Sequence, residues 1–311
     1  MIRRLWQTSP ELAGTAALML PVLAGAVLGL VFDPTVITGA PAWLKPAKFA
    51  VSFIIYTLTL AWVFTFIPDW SRTRRLVGWG TALTMVLEMS IIAGQAWRGT
   101  ASHFNVGTTT DAILFGIMGL AIVTQTFATM AVAVALWRQR FADRALGWAV
   151  RLGMLLTIAG ALIGGLMTGP TADQLAAARS GARMTVAGAH TVGAADGGPG
   201  LPGTGWSTEH GDVRVPHFVG LHALQALAIV ALLLGRAGLR EKVRERLVLV
   251  AAASYAGLFA ILLVQALRGV PLFAPDAATL AQLTTWAIAT TAAASLAWFT
   301  NVRQPRAITT I

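Results

Sequence analysis

The 311-residue chain contains no cysteine, only two tyrosines and just 12% charged residues. Each shortage excludes something. Without Cys there are no disulfides, no iron–sulfur clusters and no thiolate metal sites, which leaves N and O ligands for any metal. A soluble domain has about 25% charged residues, so this chain is not an ordinary water-soluble fold. Acidic residues are the scarcer sign, 13 against 23 Lys and Arg, for a net charge of +10. A phosphate-binding loop is also missing: the Gly-rich stretches lack the strand–loop–helix context and the Lys-Ser/Thr pair that such a loop needs.

What is present is apolar: 56% hydrophobic residues and a mean hydropathy of +0.69. That is the composition of a polytopic helical membrane protein, with the lipid bilayer as its first partner. A crossing helix takes about 20 mostly apolar residues. Eight stretches qualify, at 12–32, 48–67, 76–97, 111–137, 147–167, 217–235, 247–267 and 279–299. The basic start MIRRLWQTSPEL leads into the first without a small-residue cleavage site, and reads as a retained span.

Basic residues alternate between the connections. One set holds Arg3, Arg4, Arg72, Arg74, Arg75, Arg138, Arg140, Arg144, Arg236, Arg240, Lys242, Arg244, Arg246, Arg303 and Arg306. The other holds Lys45, Lys48, Arg98, Arg179, Arg183, Arg214 and Arg268 over a much longer stretch of chain. Positive charge stays cytoplasmic, which places both termini inside and the 168–216 connection outside a bacterial-type inner (plasma) membrane. The positive charge is therefore a topology signal, and no nucleic-acid role is expected.

The two halves repeat. Ala24–Thr35 matches Ala159–Thr171 with one insertion, and Gln95-Ala-Trp-Arg-Gly99 matches Gln265-Ala-Leu-Arg-Gly269. Asp111-Ala112 matches Asp276-Ala277, and Arg138-Gln139 matches Arg303-Gln304. The expected fold is all-α, with eight transmembrane helices as two parallel-repeat four-helix bundles, residues 1–145 and 146–311. This plan of four plus four spans is similar to that of haem A synthase. The likeness is one of architecture, because that family places haem-ligating His at matched positions of both halves and no His here repeats across them.

What one half has and the other lacks marks specialisation. The turn Gly99 to Asp111 is longer than Gly269 to Asp276 and includes Ser102-His103-Phe104-Asn105. The 168–216 insertion contains His190, Trp206 and His210. Thr171 and Gln174 form a capping-box pattern that opens a short helix there, and the segment is expected to be an ordered cap. All five His, namely His103, His190, His210, His217 and His222, fall on the outer side. His217 and His222 lie about 140° apart on a helix, a poor spacing for one shared ion.

Glu88 is the only acidic residue deep in a span, roughly 15 Å below Arg98. Gln95 shares its stripe. A carboxylate in hydrocarbon is costly and is a functional candidate by default. Arg98 and Arg268 close outer helix ends, where a cation complements the helix dipole; the sharper role is gripping an anion or a haem propionate. Gln225 shares a face with His222. Lys45 and Lys48 either snorkel to the interface or point into the chamber of the histidines.

Three functions follow as expectations. The first is an outward-facing His and carboxylate site for a metal ion (Zn, Cu or Fe) or haem, doing redox or hydrolytic chemistry. His103, His217, His222, His190 and His210 are the ligand candidates, Glu88 and Gln95 the catalytic ones, and Arg98, Arg268 and Gln225 the cofactor-binding ones. The second is a small-molecule or ion transporter using Glu88. The third is a structural or assembly subunit with a membrane partner or a second copy of itself.

Overall fold

Helices begin where the sequence supplies an oxygen or a proline to close them, and end at glycine or before proline. The computed structural model describes residues 2–299. A short helix α1 (Ile2–Thr8) leads into α2 (Pro10–Phe32), which starts on Pro10 and stops at Asp33-Pro34. A two-residue hairpin, β1 (Val36–Ile37) with β2 (Ala40–Pro41), connects to α3 (Leu44–Phe64) and α4 (Ser71–Trp97). Thr108 caps α5 (Thr109–Arg138) and Asp143 caps α6 (Arg144–Leu166), each accepting a backbone N–H three residues on.

The second set continues with α7 (Ala172–Arg179), the pair β3 (Thr191–Val192) with β4 (Gly211–Asp212), α8 (Arg214–Leu221), α9 (Ala223–Arg236), α10 (Glu241–Leu267) and α11 (Ala277–Phe299). The capping box at α7 is formed on both sides: Gln174 N–H donates to Thr171 Oγ1 at 3.3 Å, and Thr171 N–H donates to Gln174 Oε1 at 3.0 Å.

A helix stands at each of the eight apolar stretches, although the sixth is two pieces. Among the described residues, α2, α3, α4, α5, α6 and α10 are long and apolar enough to cross a membrane, and α8 with α9, bent by 43° at His222, makes a seventh. The Ala- and Thr-rich α11 falls short of that measure. Large apolar side chains such as Leu20, Val31, Leu83, Leu120 and Ile288 lie exposed on the helix flanks, as a lipid-facing surface requires. Arg303, Arg306 and the Arg303-Gln304 match lie outside the described residues.

The neighbour pattern is the same in both sets. Helix α2 packs on α3 and α4, α3 on α4, and α4 on α5; likewise α6 packs on α8, α9 and α10, α10 packs on α8 and α9, and α11 packs on α10. A core of Leu60, Val63, Phe64, Val132, Leu136, Val150, Met154 and Leu224 joins the sets through α3, α5, α6 and α9. Arg151 fixes this seam at one end, donating to Leu136 O at 3.0 Å and lying 5.0 Å from the Phe141 ring centroid. The fracture in the sixth stretch is held from both sides. Tyr255 OH donates to Val219 O at 2.6 Å, and Gly220 meets Gly160 so closely that a Cβ on Gly220 would lie 2.5 Å from Gly160 Cα.

The 168–216 segment is bound down at its own end of the helices. Val106 N–H donates to Thr185 O and Ala187 N–H to Phe104 O, while Lys48 Nζ donates to Thr204 O at 2.8 Å. At Gly39, where φ is +75°, a side chain would meet Gly197 O at 2.5 Å, so the β1–β2 hairpin and the cap touch backbone to backbone. These hydrogen bonds and close backbone contacts hold the segment against the helix ends.

Candidate functional site

The site begins with Glu88, which faces inward from the middle of α4 and is 1% exposed. Neither of its carboxylate oxygens has a hydrogen-bond partner among the described residues. An unpartnered buried carboxylate costs several kcal/mol in its ionised form, so such a group persists only for a purpose or with a proton. Met85, Met89, Ile91 and Ile92 flank it on α4, and Phe49 of α3 packs against both edges of that surface.

Lys45 is the charge that acts on Glu88. It stands one helical turn from Phe49, with Nζ 5.9 Å from that ring's centroid, and has no hydrogen bond or ion pair among the described residues. Lys48 and Arg214, both directed to the cap, repel it, while Asp196 and Glu88 attract it. Of the two readings for these lysines, Lys45 takes the inner one. Lys48 reaches the cap backbone.

Above Phe49 stands His103, its ring 5.8 Å away, and Ser102 Oγ lies 3.1 Å from His103 Nδ1. His103 is followed by Phe104 at φ +61°. A bulky residue in the left-handed region is strained, and such strain collects at functional sites. The surroundings hold it there. Phe104 O accepts from Ala187, and its ring lies 4.7 Å from His190 and 5.8 Å from Phe115. Burial, then the nearby Lys45 and His190, keeps His103 well below the usual histidine pKa, so it is neutral.

His190 leans on Asp196 of the cap. Its Nδ1 lies 2.6 Å from Asp196 Oδ2, and the same carboxylate accepts the N–H groups of His190 and Thr191. Burial pulls the pKa of His190 down despite its acidic partner. Burial pushes Asp196 up, but the hydrogen bonds from His190 and Thr191 outweigh it and leave the carboxylate ionised. The pair is thus a neutral imidazole beside an anion, and among the described residues Nε2 has no hydrogen bond.

The other candidates lie apart from this line. His217 pairs its Nδ1 with Gly160 O at 2.7 Å and bridges α8 to α6. His222 stacks on Phe218 at 4.3 Å, at the break of the sixth stretch. His210 has its backbone N–H on Ser207 Oγ and, among the described residues, no side-chain hydrogen bond. Gln225 donates to Thr59 Oγ1 at 3.3 Å, and lines a void of about 10 Å³ in the seam, room for no more than one water. No three His, Asp or Glu side chains among the described residues are grouped to hold a metal ion.

Gln95, Arg98 and Asp111 form a clasp. Arg98 Nη1 donates to Asp111 Oδ1 at 2.9 Å and to Gln95 Oε1 at 2.5 Å, and Gln95 Nε2 donates to Asp111 Oδ1 at 2.9 Å. The second set has the same parts: Arg268 is paired with Asp276, and Gln265 Nε2 donates to Pro271 O at 2.6 Å. These residues close turns. Gly99 and Gly269 take φ of +68° and +74° at matched helix ends. Lys45 as an unpaired charge, the strain at Phe104 and the His190–Asp196 dyad were hidden from sequence reasoning, because each depends on chain segments far apart. Comparison with protein-family models, with curated proteins and with solved structures finds no match.

Proposed function

We propose that this chain is a membrane transporter for a small cation, in which Glu88 is the group that exchanges a proton for that cation. The observation that supports this reading is the Glu88 carboxyl, enclosed in an apolar bundle with both oxygens unpartnered. A proton or a cation is what such an oxygen pair lacks. Lys45, His103 and the His190–Asp196 dyad make a file of titratable groups from the cap to the neighbourhood of Glu88, the kind of series that passes protons in pumps and transporters.

In this reading the chain crosses the membrane eight times as two four-helix halves. The matched neighbour pattern and the repeated Gln–Arg–Gly clasp support the duplication, and the basic connections support cytoplasmic termini with the cap outside. The cap covers the mouth through which the cation passes. A metal or haem site of the outer histidines is the other reading, and no grouping of ligands favours it.

The test is proton movement. The full chain is reconstituted in vesicles containing a pH-sensitive dye, and monovalent and divalent cations are added outside in turn. Proton efflux driven by one cation, abolished in Glu88→Gln and retained in Arg268→Gln, is the expected result. Flux that is indifferent to Glu88→Gln overturns the proposal.

A further inference from the structure

Lack of cysteine removes thiolate, but restricting metal ligands to N and O is too narrow a conclusion. The chain contains nine methionines, and thioether sulfur is a soft ligand that selects Cu(I). Met19 of α2 and Met85 and Met89 of α4 pack in one buried cluster with Ala50 and Phe53. Met118 of α5 is buried on the other edge, against Ile91 and Ile92. Glu88 projects between these edges, since residues 85, 88, 89 and 92 share one arc of the helix. Phe49 packs against both clusters.

We propose that Met19, Met85 and Met89 with the Glu88 carboxylate form a Cu(I) site, which names the cation of the transport reading and rests on it. Thioethers supply soft donors without charge, and the carboxylate neutralises the monovalent ion, so the loaded site carries no net charge into the apolar bundle. In the unloaded state a proton on Glu88 does the same. Proton and Cu(I) therefore compete for one oxygen pair, which is the exchange that the transport reading needs.

The second set of helices shows that core filling alone does not call for this composition. In the register of the Gln–Arg–Gly clasp, Met85, Glu88 and Met89 fall opposite Tyr255, Leu258 and Phe259. The slot is filled there by aromatic and aliphatic side chains, and Phe259 is buried. Among the described residues, only the first set combines sulfur with an orphaned carboxylate.

The test uses the full detergent-purified chain under anaerobic, reducing conditions, titrated with Cu(I) against bicinchoninate. One tightly held Cu(I) per chain is expected, with sulfur in its X-ray absorption spectrum. Met85→Leu/Met89→Leu and Glu88→Gln should each lose it, and His103→Ala should keep it. Leu conserves the volume of Met, so the double variant should fold; Met19→Leu alone is the second variant should it not. No retained Cu(I), or binding unchanged by the Met replacements, overturns the proposal. Proton flux abolished by Glu88→Gln in a chain that binds no Cu(I) would remove the copper site and leave the carrier role of Glu88. Cu(I) bound by a chain whose flux ignores Glu88→Gln would do the reverse.

Discussion

The two sets of four long helices share a frame and differ in what fills it. In both, a glutamine and an arginine close the third long helix at a left-handed glycine, and the arginine pairs with an aspartate that opens the fourth. The aspartates are used differently. Asp111 lies inside the first turn of α5 behind the cap residue Thr108, while Asp276 is itself the cap of α11. Above all, the first set has Glu88 where the second has Leu258, and the second has the cap where the first has a short hairpin. The difference is one of contents: one set holds the buried, unpartnered carboxyl, and the other contributes the long 168–216 segment.

The largest effect is expected when one set is copied into the other. Glu88→Leu makes the first set resemble the second. It should abolish cation-driven proton flux, and it should also raise stability by about 1–3 kcal/mol, because an unsatisfied buried polar group is replaced by an apolar one. A higher melting temperature in detergent together with lost flux is the expected pair of results. Next in size, Gly220→Ala should cost about 1–3 kcal/mol, since the added methyl runs into Gly160. Its effect should appear as a lower melting temperature.

The clasp offers a paired test. In the first set the arginine is 46% exposed and its aspartate 5%; in the second the values are 40% and 37%. Asp111→Asn should therefore destabilise by about 1–3 kcal/mol, whereas Asp276→Asn should hardly change the melting temperature, since exposed pairs contribute little. Equal losses would show that the two clasps are not distinguished by burial.

The smallest effect concerns the cap. His103 and His190 are held below the usual histidine pKa by burial. The unfolded chain then binds protons, near pH 6.5, that the folded chain refuses. Stability should be full above about pH 6.5 and fall as the pH drops below it, by up to about 1.4 kcal/mol per pH unit for each proton. His190→Gln should flatten part of that slope in a melting series from neutral to mildly acidic pH.

Much of the frame was legible in the residues. Apolar length located every long helix, the Gln–Arg–Gly repeat marked matched helix ends, and the Thr171–Gln174 pattern located α7. Such signals are local, written within a few turns of chain. The break at His222 was not legible, because the contacts beside it come from Gly160 and Tyr255 on other helices. Arg151 carried no signal in the sequence, although it closes the seam against Leu136 and Phe141. At the site, Glu88 stood out by its depth alone. The histidines do not make a ligand set, since no three His, Asp or Glu side chains are grouped to hold a metal ion among the described residues. His217 instead ties α8 to Gly160 O of α6, and His222 lies against the Phe218 ring.

The central claim is that Glu88 takes up and releases a proton within the bundle. Infrared difference spectroscopy of the wild type and Glu88→Gln across a pH titration reads that event at the C=O stretch of a protonated carboxyl. The expected result is a band that titrates in the wild type and is missing from the variant. A wild-type spectrum identical to that of Glu88→Gln at every pH would contradict it.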